Sequence, residues 1–310
     1  PLQRIIIDEP TVSMFFHVNN SPFAGIEGKF LTSRNISERL HRETLSNVSL
    51  KVNTTNETDV FEVCGRGELQ MAILIETMRR EGFEFSVSRP EVLFQEIDDV
   101  IHEPVEEVVV DVLTDYSNKV IDNLQKRKGI MQGMSQEGEN NRIEFRVPSR
   151  GLIGFRGEML TETRGTGIMH QQFDGYEPYA GEIPGRTRGA LIALEKGDVT
   201  GYALEGVQDR GTFFVEPGDS VYMGMVVGTN NRSDDMVVNV AKKKALTNHR
   251  ASITADSIKI SQAKKMSLEE CIEFIANDEL LEVTPESLRI RKKFLDHNER
   301  KREEKKKAGV

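Results

Sequence analysis

The sequence predicts an α+β protein, with two ferredoxin-like β-α-β-β-α-β units followed by a mainly antiparallel β region with a terminal helix. Three observations predict it. Strand and helix periods alternate in the order β-α-β-β-α-β over residues 11–90, and the same order recurs over 91–178, a repeat of architecture rather than of sequence. After Tyr179 the pattern becomes short apolar runs between turn signals: Glu195-Lys196-Gly197-Asp198, Asp209-Arg210-Gly211 and Glu216-Pro217-Gly218-Asp219. From Phe294 to Lys307 the chain is highly charged and reads as a tail helix or arm.

Residues 1–10 read as the tail of a preceding domain, with Leu2–Asp8 as a lone strand. In the first unit, Thr11–Val18 alternates as a strand. Ser33–Ser46 is a helix with Ile36, Leu40 and Leu45 on one face and Ser33 as N-cap. Val48–Val52 and Val60–Val63 are strands, Gly67–Arg80 is a second helix entered through Gly65-Arg66-Gly67, and Phe83–Val87 closes the unit. Pro90 marks a boundary. In the second unit, Val105–Leu113 is a strand and Tyr116–Lys128 a helix whose basic end suits its dipole, with Gly129 as cap. Ile130–Met134 and Asn141–Val147 are strands, a Gly-rich helix follows, and Gly167–Phe173 is the last strand. Each unit would set two helices on one face of a four-stranded sheet. The other face lacks the aromatic run used for stacking RNA bases. Residues 179–310 form the third region. It has short strands over 181–228, a strand at Val237–Val240, a helix over Ser267–Asn277 opened by the capping box Ser267-x-x-Glu270, and strands at Leu280–Val283 and Leu288–Ile290.

Composition narrows the chemistry. Among 310 residues, 37% are hydrophobic and 29% charged, no stretch is long and apolar enough to span a membrane, and no signal pattern opens the chain. Cys64 and Cys271 sit in apolar-periodic segments and read as buried free thiols, which fits a cytoplasmic protein. The six histidines have no ligand spacing, so no metal site is expected. There is no G-x-x-x-x-G-K-[ST] loop, no G-x-S-x-G and no H-E-x-x-H, so no nucleotide, nucleophile or zinc chemistry is expected from motifs.

The net charge of −9 is unevenly placed. Residues 229–265 hold eight Lys/Arg against three Asp/Glu, and 287–310 hold ten against four; between them, 266–286 holds seven acids and no base. Basic patches on an acidic body suggest local contact with nucleic acid. Two stretches stand out. Val147–Tyr176 packs Gly151, Gly154, Gly157, Gly165 and Gly167 around Arg150, Arg156 and Arg164; it reads either as a backbone-and-arginine surface for a polyanion or as a helix packed on a sheet with solvated arginines. Residues 242–256 have no period and are basic, with Lys242, Lys243, Lys244, Asn248, His249 and Arg250. They read as a working loop, with a solvent loop as the alternative.

At these motifs the sequence resembles the translational GTPases related to elongation factor G. Gly65-Arg66-Gly67-Glu68-Leu69 with its helix resembles their domain III, and the segment from Arg127-Lys128-Gly129 to Phe173-Asp174 resembles their domain V. Within that group the resemblance is to the TypA/BipA family of ribosome-binding GTPases. It is carried by Asn20-Ser21-Pro22-Phe23-Ala24-Gly25, Glu76–Pro90, Ser149–Gly157, Asn231-Arg232-Ser233, Leu246-Thr247-Asn248 and Arg250-Ala251-Ser252. A glycine expected shortly after Ser252 is absent, and Ile253-Thr254 follow instead. The resemblance implies that the GTPase domain, with its GTP and Mg, precedes Pro1, and that this chain has no cofactor or catalysis of its own. It implies a ribosomal partner, with rRNA, A-site tRNA and ribosomal proteins near the factor site as contacts, no membrane, a monomer, and a role in ribosome assembly and stress adaptation. The RNA contacts it implies are Lys242, Lys243, Lys244, Thr247, Asn248, His249, Arg250, Ser252 and Arg232, beside the arginines of the Gly-rich stretch. A competing expectation is a small-molecule or catalytic site, a concave apolar pocket with converging titratable groups between the second unit and the β region.

Overall fold

A computed structural model describes residues 9–183, 185–243 and 260–307. The fold is mixed α+β, with several largely antiparallel sheets and a terminal helix. The first region runs β1 (Val12–Val18), α1 (Ser33–Ser46), β2 (Lys51–Thr54), β3 (Val60–Gly65), α2 (Glu68–Arg80), β4 (Phe85–Val87), with strand order β4-β1-β3-β2. Alternation along β1 sends Met14 and Phe16 inward, and Phe16 stacks on Phe85 at 5.5 Å. Ile36 and Leu40 of α1 and Met71, Leu74, Ile75 and Met78 of α2 meet them at helical spacing. Thr32 rather than Ser33 caps α1, its hydroxyl accepting from Asn35 N at 3.3 Å.

The second region repeats the order. Two short strands, β5 (Glu91–Val92) and β6 (Gln95–Ile97), lead into β7 (Val100–Leu113), α3 (Thr114–Lys126), β8 (Ile130–Glu137) and β9 (Asn140–Pro148). Then come α4 (Ser149–Leu152), α5 (Phe155–Glu162) and β10 (Ile168–Pro178). Strand order is β10-β7-β9-β8, the arrangement of the first region, with its own core of Val108, Val110, Leu124, Phe145, Phe155 and Met169. Its open face is not a cationic platform: Arg146 pairs with Asp174 at 2.6 Å and Glu177 at 2.5 Å. Lys128, not Gly129, takes the left-handed turn after α3 (φ 67°). Gly129 is needed because a Cβ there would meet Leu124 O at 2.8 Å.

The third region departs most from expectation. Strands β11 (Ala190–Ala193) and β12 (Gly197–Asp198) lead into a helix, α6 (Gly201–Val207), where the sequence reads as strand and turn. Thr200 caps it, accepting from Ala203 N at 3.1 Å. Next come β13 (Gly211–Phe213), β14 (Ser220–Val221), β15 (Val226–Asn230), β16 (Met236–Val238), α7 (Leu268–Phe274), β17 (Glu279–Val283), β18 (Leu288–Lys292) and α8 (His297–Lys307). The sheet β13-β15-β11-β16 contains one parallel pair, β11 with β16, so the region is not purely antiparallel. The expected capping box at Ser267 and Glu270 is present in full.

Hairpin β17–β18 leaves its own region and extends the first sheet, Leu281 opposite Val87 and Val283 opposite Phe85. Its apolar side joins the first core, which therefore also takes in Ile192, Val226, Leu268, Cys271 and Ile290. Cys64 and Cys271 are buried free thiols, and burial pushes them up to about 11 and about 12.

A polar seam locks this junction. Glu282, fully buried, accepts from Asn19 Nδ2 at 3.0 Å, Ser21 Oγ at 2.9 Å, Tyr222 Oη at 2.7 Å and Arg289 Nη1 at 3.3 Å. Glu84, also fully buried, accepts from Asn19 Nδ2 at 2.7 Å and from the backbone N–H groups of Gly25 and Gly28 at 2.9 Å. Glu27 binds Arg289 and Thr284. Burial alone would push its carboxyl up, but the hydrogen bonds from Thr284 and Arg289 and the Arg289 charge hold it below the usual range. Both buried carboxylates are thus fully engaged, as a dry interior requires.

Candidate nucleic-acid interface

The basic segment of the third region leaves and re-enters on one small helix. Lys242 O accepts from Thr200 Oγ1 at 2.6 Å, and Thr200 N donates to Val240 O at 3.0 Å. The close fit needs Gly197, whose Cβ would meet that of Ala241 at 2.7 Å. On the return, Ile260 reaches Gly201, Ser261 N donates to Gln208 Oε1 at 3.3 Å, and Lys264 N donates to Phe213 O at 2.8 Å. Both flanks are therefore fixed on α6 and the turn after it. Lys242 and Lys243 are exposed and take no ion-pair partner among the described residues. Lys244, Thr247, Asn248, His249, Arg250 and Ser252 lie outside the described residues.

The Gly-rich stretch has a different character. Gly154, in the left-handed conformation (φ 76°), separates the short α4 from α5, so the Gly-rich turn before the helix is itself one helical turn. Arg150 is committed inside the protein: its guanidinium binds Glu103, donates to Gly181 O at 2.5 Å and lies 4.6 Å from the Tyr179 ring centroid. Arg156 is half-buried, within electrostatic reach of Glu68. Arg164 is exposed at the end of α5 with φ 54°. Arg232 is exposed, and its carbonyl accepts from Gly189 N at 2.8 Å, which brings Asn231-Arg232-Ser233 beside the start of β11. The structure thus commits Arg150 to Glu103 inside the protein and leaves Arg164 and Arg232 exposed; the sequence carries no signal for the Glu103 partner.

Glu68, at the start of α2, accepts from Gly154 N at 2.8 Å and ties the first region to the second. Glu273 of α7 closes over the same glycine, where any Cβ would collide with the Glu273 side chain. Burial raises Glu68 to about 7. The Gly154 N–H opposes that shift, the Glu273 charge adds to it, and Arg127 and Arg156 oppose it.

A cleft of about 730 Å³ does lie between the second and third regions, and a smaller one of about 400 Å³ adjoins it. Its walls combine apolar side chains such as Ile153, Ile183, Met266 and Phe274 with ion pairs. Arg186 pairs with Glu279 at 2.9 Å and lies over Phe274, Arg127 pairs with Glu158 at 2.6 Å, and Lys264 pairs with Glu270 at 3.0 Å. Among the described residues that line the larger cleft there is no Ser, Cys or His. Among the described residues no cluster of His, Cys, Asp and Glu could hold a metal, and no helix is long and apolar enough to cross a membrane.

Residues 188–297 match the TypA/BipA C-terminal domain family, and residues 100–187 match the elongation factor G C-terminus family. Over its whole length the chain is 50% identical to the large ribosomal subunit assembly factor BipA of Bacillus subtilis strain 168, covering 51% of that protein. The chain belongs to the TypA/BipA family. Over 97% of the chain it is 49% identical to the BipA of Haemophilus influenzae and 48% identical to that of Escherichia coli K12, covering 49% and 50% of those proteins. The chain thus spans about half the length of these relatives. A solved structure from Thermus thermophilus aligns at 15% identity with a TM-score of 0.34, over 57% of this chain and 42% of that one, too loosely to carry an argument. Of the TypA/BipA-like stretches in the sequence, residues 20–25 contribute Ser21 and Gly25 to the polar seam, and residues 149–157 form α4, the break at Gly154 and the start of α5.

Proposed function

We propose that this chain is the ribosome-binding part of a translational GTPase of the TypA/BipA type. In this reading both β-α-β-β-α-β regions are ferredoxin-like units equivalent to domains III and V of elongation factor G. The basic segment beginning at Lys242 contacts ribosomal RNA and the A-site tRNA through Lys242, Lys243, Lys244, Thr247, Asn248, His249, Arg250 and Ser252, with Arg232 and the exposed Arg164 as further RNA contacts. Arg150, held by Glu103, positions the start of α4, and Arg156 acts near it. GTP, Mg and hydrolysis are assigned to the half of the relatives that this chain does not span. The chain itself is assigned no catalysis, a cytoplasmic location, a monomeric state, and a part in subunit assembly and stress adaptation.

The observation that carries the reading is the near-50% identity, along essentially the whole chain, to proteins named as large ribosomal subunit assembly factors. The flanks support it: the chain at Lys242 and again at Ser261 is held on α6 and the turn after it, which fixes both ends of a lysine-rich, unperiodic stretch of sequence. The test is co-sedimentation with ribosomes at low and moderate salt, beside a version in which residues 242–256 are replaced by a neutral Gly/Ser linker. Binding that falls steeply with salt and is lost in the replaced version is expected. Equal binding by both versions would overturn the loop assignment.

A further inference from the structure

The arginine-lined cleft between the regions holds a second set of cations that the ribosome-binding loop does not use. Most cations on its walls are matched: Arg127 to Glu158, Lys264 to Glu270, Arg186 to Glu279 and Arg150 to Glu103. Three are not. Arg89, Lys126 and Arg188 line the cleft with no ion-pair or side-chain hydrogen-bond partner among the described residues. Of the acids lining the two lobes, Glu158 and Glu270 are spent on the pairs above, and Asp235 and Asp278 on Lys292 at 2.5 and 2.7 Å. That leaves Glu273, whose carboxyl burial pushes up and whose ionised form is correspondingly disfavoured. The surplus in the cleft is positive, in a chain whose net charge is −9.

The origin of the three cations gives the cleft its shape. Arg89 follows β4 in the first region, Lys126 ends α3 in the second, and Arg188 precedes β11 in the third. Arg89 and Arg188 also line the adjoining lobe of about 400 Å³, so the two lobes form one elongated trough. Ser233, from the Asn231-Arg232-Ser233 stretch, lines that lobe. An elongated, open trough with spaced unpaired cations fits a chain of phosphates better than an enclosed small molecule, and arginine is the side chain that grips phosphate with two donors at once.

We propose that this trough takes the phosphate backbone of RNA, with Arg89, Lys126 and Arg188 as its contacts. The assignment deepens the ribosome-binding reading and rests on it for the ligand being RNA. Because each contact comes from a different region, bound RNA also clamps the three regions in one arrangement, and RNA therefore stabilises the chain against heat.

The test is fluorescence anisotropy with a labelled structured RNA hairpin across a salt series, with melting curves in its presence and absence. The proteins are the unaltered chain, an R89Q/K126Q/R188Q variant and a K242E/K243E/K244E/R250E loop variant. For the trough variant, RNA affinity should fall about tenfold or more at moderate salt. The salt slope should drop by roughly two, since each phosphate contact contributes somewhat under one. Its melting temperature without RNA should be unchanged, and the RNA-induced rise should be lost. Affinity and slope unchanged in the trough variant but lost in the loop variant would overturn the trough and leave the loop reading standing. The reverse pattern would uphold the trough and overturn the loop. No RNA binding by the unaltered chain would overturn both. Protection of the trough by inorganic tripolyphosphate, with RNA affinity independent of the three residues, would make it a small-anion site and overturn the RNA assignment.

Discussion

Two junctions hold the third region to the rest of the molecule, and they use the same residue types in opposite ways. At the seam with the first region, carboxylates are buried and saturated: Glu282 alone collects donors from Asn19, Ser21, Tyr222 and the half-buried Arg289. At the trough facing the second region, water is admitted and Arg89, Lys126 and Arg188 keep their donors free of partners among the described residues. A satisfied charge fixes geometry, because removing one partner strands the others in a dry site; an unsatisfied charge at an open wall costs little and is available to a ligand.

That contrast breaks most directly at Glu282. Replacing it with alanine leaves the Tyr222 and Ser21 hydroxyls buried without their acceptor and Arg289 with Glu27 alone, and should cost about 3–5 kcal/mol in chemical unfolding. A loss under about 1 kcal/mol would mean that the seam is no tighter than the trough. Glu68, behind the trough wall, should sharpen the comparison through pH. Its folded pKa of about 7 lies above the ordinary carboxylate value of 4.5, so ionisation erodes stability as pH rises from about 4.5 to about 7, and the cost is complete above that. Glu68→Gln keeps an acceptor for Gly154 N–H and should stabilise the chain by about 2 kcal/mol at pH 8 and by little at pH 5. Equal effects at both pH values would show that Glu68 is not held neutral. The smallest effect belongs to Arg188→Gln, which should change unfolding free energy by less than about 0.5 kcal/mol. A larger loss would reveal a structural partner and weaken the case for a free cation.

Much of this fold is legible from periodicity. The span of helix α1 can be read from its sequence, although its cap falls on Thr32 and Leu45, expected on the inward face, is exposed; the capping box of α7 follows from two residue types three positions apart. Local signals fail where the deciding interaction is remote. Nothing in Leu280–Val283 names Phe85 and Val87 as its neighbours, so the hairpin reads as part of a separate β region. Helix α6 escapes the sequence because Thr200–Val207 is short, starts with glycine after its cap and is flanked by turn signals, although Thr200 is a recognisable cap. For the interface, the sequence singles out Arg150 as readily as Arg232, since pairing with Glu103, 47 residues away, leaves no local trace. The same blindness hides Arg89, Lys126 and Arg188, which are neighbours only after three regions have assembled.

The strand addition at β4 also sets an order of events in synthesis. β4 is three residues long, and the edge that hairpin β17–β18 will cover is made roughly 200 residues before its partner. At about 5–20 residues per second the ribosome leaves that edge uncovered for on the order of 10–40 s. The nascent first region therefore waits with incomplete backbone pairing and an open core until hairpin β17–β18 has been made. The shortness of β4 limits what a stray strand could pair with during that interval.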